Sequence, residues 1–114
     1  MTREGGSTMN RMDDLLRRRT DERRKVATAR ARQVVESAKG QGIEISIVGS
    51  LARDRFRVHS DVDLLVHGDT DPKRRVMIER LVADRFRRTD LPYDLIFASD
   101  LSSERVRELL DDCL

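Results

Sequence analysis

At 114 residues, of which 39% are charged and 38% hydrophobic, the chain has material for one compact and thin core. Its single cysteine, Cys113, excludes an internal disulfide, no Cys/His spacing of a zinc site occurs, and no apolar run is long enough to cross a bilayer. The start, Met1 to Ser7, lacks the apolar stretch of a signal peptide, so a reducing, cytoplasmic location is expected.

Residues 1–9 are expected to form a flexible N-terminus, and residues 10–40 a helix. Apolar residues return there at three- and four-residue intervals: Met12, Leu15 and Leu16, then Ala27, Ala31, Val34, Val35 and Ala38, with Gly40 and Gly42 ending the pattern. Net charge is only +2, but it is unevenly spread, with Arg17, Arg18, Arg19, Arg23, Arg24 and Lys25 in this early stretch. Between Leu16 and Val26 the stripe gives way to charge, so this section should be solvated, extend beyond the core, and rest on pairs such as Asp13 to Arg17 and Asp21 to Lys25. The basic face also leaves open a partner protein or an RNA backbone, although no aromatics are interleaved for base stacking.

Residues 41–114 read as one domain. Ile43 to Val48 is a short apolar run, followed by Gly49-Ser50, a charged connector from Leu51 to Ser60, Asp61-Val62-Asp63, and the apolar Leu64-Leu65-Val66. This predicts strand, phosphate-binding turn, loop and a second strand. Glycine lets the chain turn tightly and bring backbone N–H groups against a phosphate, and serine adds a hydroxyl donor. Side chains alternate along a strand, so Asp61 and Asp63 project from one face while Val62 points inward with Leu64 and Val66. Two carboxylates that close repel each other unless a cation lies between them, and hard oxygen donors suit Mg²⁺. The constellation therefore points to a metal-bound nucleotide.

In the connector, Arg53 has either a structural or a phosphate-binding role, while Arg55, Arg57 and His59 are expected to be solvated; His67 ends the second strand. Asp71-Pro72 starts a helix, with a side-chain cap and proline at the first helical position, and Ile78, Leu81, Val82 and Phe86 form its buried stripe. Leu91-Pro92 breaks the chain before a third strand, Tyr93 to Phe97. Its lone acid, Asp94, is expected inside as part of the metal cluster, or else at an exposed edge. Ser102 or Ser103 caps a last helix whose Val106, Leu109, Leu110 and Cys113 face inward.

Gly49-Ser50-Leu51-Ala52-Arg53, the connector, and Ser60-Asp61-Val62-Asp63-Leu64-Leu65-Val66 resemble the signature of the minimal nucleotidyltransferases of the DNA polymerase β-like superfamily. The resemblance covers residues 43–66 by motif and 43–112 by order of elements. It implies an α/β (α+β) fold, a small mixed sheet flanked by helices, two Mg²⁺ ions, and transfer of a nucleoside monophosphate, most simply AMP from ATP, to a hydroxyl with release of pyrophosphate. Asp61, Asp63 and Asp94 would be the catalytic metal ligands, and Gly49, Ser50 and Arg53 would bind the nucleotide's phosphates. Small members often serve as antitoxins that pair with HEPN-type toxins, some by adding AMP to a toxin tyrosine. Asp54 departs from the pattern, since the family often has glycine or a small residue after the arginine. A catalytically silent antitoxin acting by contact alone, or an RNA-interacting protein using the basic helix, remain alternatives.

Overall fold

A computed structural model describes the backbone of residues 3–111 and the side chains of residues 11–111. In chain order the elements are helix α1 (Arg3–Gly40), strand β1 (Ile45–Val48), the one-turn helix α2 (Gly49–Ala52), β2 (Val62–Val66), α3 (Pro72–Phe86), β3 (Tyr93–Phe97), a 3-10 turn (Ala98–Asp100) and α4 (Ser103–Leu110). The three strands form one mixed sheet in the order β1-β2-β3, with β1 antiparallel and β3 parallel to β2. A parallel pair needs a crossover connection, and α3 supplies it.

Local chemistry sets the ends of the helices. α1, described from Arg3, ahead of the expected start at residue 10, closes with Ile43 N–H donating to the Ala38 carbonyl at 2.9 Å and Gly42 N–H to the Lys39 carbonyl at 3.0 Å. That double bond pattern requires a left-handed residue, and Gly42 takes it with φ +77°. α3 starts where the sequence predicts: the Asp71 carboxylate accepts from Arg74 N–H at 2.7 Å, with Pro72 at the first helical position. Ser102 caps α4 by accepting from Arg105 N–H at 3.1 Å.

Alternation divides the sheet into two faces. Ile45, Ile47, Val62, Leu64 and Val66 pack into one core with Ala27, Ala31, Val34 and Ala38 of α1 and with Ile78, Val82 and Phe86 of α3. The alanines on α1 let two helices and the sheet approach closely. Leu81 and Val35 are half-buried against this core. On the opposite face, Val48 and Leu65 are fully buried, while Val106, Leu109 and Leu110 of α4 are half-buried. α4 reaches as far as β1. Cys113, expected on the same stripe, lies outside the described residues.

The early half of α1 extends beyond the core, as its charge pattern predicts, and gives the molecule its long dimension of 64 Å against 32 and 18 Å. On this stretch Asp21 pairs with Arg24 at 3.2 Å, one residue short of the expected Lys25. Two further bonds tie α1 to the domain: an Arg23 guanidinium N–H donates to the Asp90 carbonyl at 3.1 Å, and Arg85 of α3 donates to Ser37 Oγ at 3.0 Å. No helix among the described residues is long and apolar enough to cross a membrane.

Candidate functional site

Pairing register brings the chemistry to one end of the sheet. Val48, the last residue of β1, lies opposite Asp63, and Asp63 lies opposite Asp94. By alternation both acids project from the face that carries Leu65, side by side on adjacent parallel strands. Asp61 stands immediately ahead of β2, and the bond from Val62 N–H to the Pro92 carbonyl, 2.9 Å, fixes the chain there against the entry to β3.

The chain leaves β1 through Gly49, whose φ of +76° is a left-handed conformation that suits glycine. It then coils at once into α2, where the sequence suggests only a turn, and Leu51 is buried as its anchor. Gly49 has a second reason to lack a side chain: a β-carbon there would stand 2.2 Å from Oδ2 of Asp63. The turn at Gly49 and the Asp63 carboxylate thus touch. Ser50, next along, is half-buried.

Asp63 is half-buried, and its carboxyl is pushed above the usual carboxylate range, first by burial, then by the charge of Asp94, then by that of Asp61. Acids from two distant parts of the sequence therefore act electrostatically on one point. Asp94 is exposed on the edge strand β3 and not inside, so the expectation of a buried acid is corrected while its place beside Asp63 is as the sequence suggests. A short edge strand leaves its start open to solvent, which lets a charged side chain stand there without a buried partner. Asp61 is also exposed. Among the described residues, no three His, Cys, Asp or Glu side chains are gathered tightly enough to form a ready-made metal cage. The donor set nevertheless suits a hard divalent cation: all are carboxylate oxygens, and the repulsion that raises Asp63 is the kind a bound cation relieves.

The connector is held by its own contacts. Arg53 is exposed at the end of α2, with its N–H on the Gly49 carbonyl at 3.1 Å. Phe56 is buried, whereas Arg55, Arg57 and His59 are exposed, as the sequence suggests. Asp54 adopts φ +57°. That is a left-handed conformation, which glycine adopts without strain and which bears on the small residue expected here from the resemblance. Here the aspartate makes an ion pair with Arg24 of α1. Between α1 and the connector lies an open groove of about 1010 Å³, lined by arginines that include Arg17, Arg19 and Arg57 as well as by Asp13, Asp21 and Asp54, so its charge is mixed.

Two features escape sequence reading. The Arg24–Asp54 tie joins residues 30 apart, and no local pattern announces it. His67 does follow β2, but its Nε2 also lies 2.7 Å from Ser46 Oγ across the sheet. Only the strand register, Ser46 opposite Leu65, could have suggested that diagonal pair.

A family model described as nucleotidyltransferase domain matches residues 29–114, well over half of the chain. The matched segment contains all the site residues and, apart from Ala27, the residues of α1 that pack into the core. No curated protein matches the chain significantly.

Proposed function

This chain belongs to the nucleotidyltransferase domain family, and we propose that it transfers AMP from ATP, in a Mg²⁺-dependent reaction, to a hydroxyl on a partner protein. Nucleotidyl transfer in general follows from the family. The observation that carries the finer reading is the contact between the Gly49 turn and Asp63, with Asp94 in register beside it.

In the proposed reaction the acceptor oxygen bonds to the α-phosphorus, the bond from that phosphorus to the bridging oxygen breaks, and pyrophosphate leaves with the electron pair. The acceptor's proton passes to solvent or to a carboxylate of the site. Mg²⁺, held by Asp61, Asp63 and Asp94, would neutralise charge on the triphosphate and lower the acceptor's pKa. Asp94 is open to an incoming hydroxyl because it stands near the start of an edge strand. Gly49 gives the terminal phosphates close access to the backbone, Ser50 donates its hydroxyl to them, and Arg53 supplies positive charge from the end of α2. These contacts orient the triphosphate, which is where an enzyme of this kind gains most.

A protein acceptor is supported by size. Outside the carboxylate end, this small domain offers little surface on which to hold a separate large acceptor, so the acceptor is best brought by a partner. A HEPN-type toxin, with the present chain as its antitoxin, is the specific form of this proposal. The test has two steps. Titration calorimetry with a non-hydrolysable ATP analogue should show binding that needs Mg²⁺ and disappears in Asp63→Asn. Incubating a co-purified partner with the chain and Mg²⁺-ATP should then add the mass of AMP to that partner. Binding without added mass would refute protein nucleotidylation by that pair, and absence of binding would refute a self-sufficient nucleotide site.

A further inference from the structure

The groove between α1 and the connector continues past the connector. A second hollow of about 320 Å³, lined by Arg23 and Val26 of α1 and by Thr89 and Leu91, adjoins it at Arg19 and Val58. Together they form a trench along α1 from Asp13 to Val26, about 20 Å of helix and the length of about six extended residues. Arg23 and Arg24 hold its walls in place through Asp90 and Asp54. Opposite α1, those walls are the two segments that lead into the site. His59 is two residues ahead of Asp61 and Leu91 three ahead of Asp94, so the chain spans at most about 7 Å and 11 Å from trench to carboxylate. The bond from Val62 N–H to the Pro92 carbonyl joins the two segments where they enter the sheet. The trench therefore runs up to the heads of β2 and β3.

Its free charge is mostly positive. Arg17, Arg19, Arg55 and Arg57 line it, are exposed, and make no ion pair with any described residue. Asp21 and Asp54 are both held by Arg24, which leaves Asp13 and Glu22 as the open acids along it. The open arginines outnumber them, and a guanidinium fork takes a carboxylate through two hydrogen bonds. Apolar surface lies among these charges: Leu16 and Val26 are 53% and 43% exposed, and half-buried Val58 lines both hollows. A nucleic-acid strand fits less well. The aromatic ring of this lining, Phe56, is buried and offers no face to a base, while Asp13 and Glu22 would repel phosphates.

We propose that the trench docks an acidic segment of a partner protein, with carboxylates on the open arginines and an apolar side chain against Leu16 and Val58, and that this partner is the acceptor of the nucleotide. The acceptor role rests on the proposed transfer reaction; the docking does not. A serine, threonine or tyrosine just beyond the docked segment would reach the carboxylates. Its hydroxyl oxygen bonds to the α-phosphorus of ATP, the bond from that phosphorus to the bridging oxygen breaks, pyrophosphate leaves with the electron pair, and the hydroxyl proton passes to solvent.

Docking is read by amide NMR of the full chain, without Mg²⁺ or nucleotide, on titration with a peptide of about eight residues made of Glu, Leu and one Tyr. Binding below about 1 mM is expected, weakening as salt rises, with shifts in the α1 residues of the trench, the connector and Thr89. The same peptide with Gln for Glu should bind about tenfold more weakly, and so should the acidic peptide to Arg17→Glu with Arg57→Glu. Both arginines are exposed, so that variant should keep the wild-type far-UV circular dichroism. No binding, shifts elsewhere on the domain, equal binding of the Gln peptide, or tighter binding in the trench by an oligouridylate of equal charge would each overturn the docking. The acceptor role is read on the co-purified partner with Mg²⁺-ATP. At low partner concentration the same variant should add AMP about tenfold more slowly, with its affinity for the non-hydrolysable ATP analogue unchanged. An unchanged rate would overturn the acceptor role. A wild type that adds no AMP would remove the transfer reaction and the acceptor role with it, and the titration would still decide the docking.

Discussion

Gly49 and Asp63 occupy one another's space: a β-carbon on Gly49 would stand 2.2 Å from Oδ2 and 3.0 Å from Cγ of Asp63. The obstacle is not a flexible tip at the surface. Asp63 sits in a strand paired on both sides, so the carboxylate has little room to give way. Gly49→Ala therefore faces two penalties, the left-handed backbone and the clash, together costing about 1–3 kcal/mol of stability. Transfer should suffer more than folding. Displacing a carboxylate by about an ångström misplaces the reacting groups and is expected to lower turnover about 100-fold. Chemical denaturation and turnover measured on the same variant separate the two effects, and undiminished turnover would remove Gly49 from the machinery.

Asp63 and Asp94 are neighbours in register but should answer differently to neutralisation. The folded pKa of Asp63 is raised by burial and by the adjacent acids. A carboxyl raised on folding costs nothing when both folded and unfolded forms are protonated, and its cost appears as pH rises from the unfolded pKa through the folded one. Asp63→Asn should thus stabilise the metal-free protein at neutral pH, by an amount that solvent screening of this half-buried group keeps small. That advantage should shrink as pH falls toward the unfolded carboxylate value. Transfer should be lost in the same variant, and Mg²⁺ with nucleotide should raise the Tm of the wild type but not of the variant. Asp94→Asn, at an exposed position, should lose transfer with little change in stability. Melting curves in chelator across pH 4 to 8, and again with Mg²⁺ and nucleotide, decide the matter; an Asp63→Asn variant less stable than the wild type at pH 7 would contradict this account.

The Arg24–Asp54 tie can be weighed against the backbone it accompanies. Asp54 holds φ +57°, which costs a non-glycine residue roughly 1 kcal/mol that glycine avoids. The ion pair is largely exposed on the Asp54 side, so it returns about 0–1 kcal/mol. Asp54→Gly is therefore expected to leave stability within about 0.5 kcal/mol of the wild type. Arg24→Ala should destabilise by less than about 1 kcal/mol, and by less again when Asp54→Gly is already present, where only its pair with Asp21 is left to lose. A double-mutant cycle in urea measures this directly. A coupling near zero would mean that the pair does not tie α1 to the connector.

How far the sequence could be read depends on the range of the interaction. The start of α3 was legible because Asp71, Pro72 and the stripe Ile78, Val82, Phe86 express capping and helical periodicity within a few residues. The strands around Val62 to Val66 and Tyr93 to Phe97 were legible because short apolar runs with acids at their heads admit few other readings. Adjacency of Asp63 to Asp94 was suggested by their chemistry, but the register that creates it is a tertiary fact. α2 was missed because four residues are too few for a periodic signal. The left-handed Arg88 and Asp90 after α3 carry no glycine to announce them. Arg23 and Arg24 look like their solvated neighbours in sequence and are instead half-buried, anchored to Asp90 and Asp54. The half-exposed Met12, Leu15 and Leu16 show the converse: helical periodicity marks a face, and only the packing shows whether the domain covers it.

A contrast with the site comes from the other end of β2. Asp71 caps α3 beyond Val66, whereas the carboxylates stand at the strand's beginning. Its side chain accepts one hydrogen bond, from Arg74 N–H, and it is exposed. Asp71→Ala should cost about 1 kcal/mol, the usual loss when a helix N-terminus gives up its cap. Because the lost bond lies in α3's first turn and the register of β2 with β1 and β3 is set elsewhere, nucleotide affinity and transfer rate should stay at wild-type values. Parallel measurement of urea stability, nucleotide affinity and turnover checks both halves. If transfer fell together with stability in this variant, the losses expected for Gly49→Ala could no longer be assigned to the site, because any weakening of the small domain would then suffice to produce them.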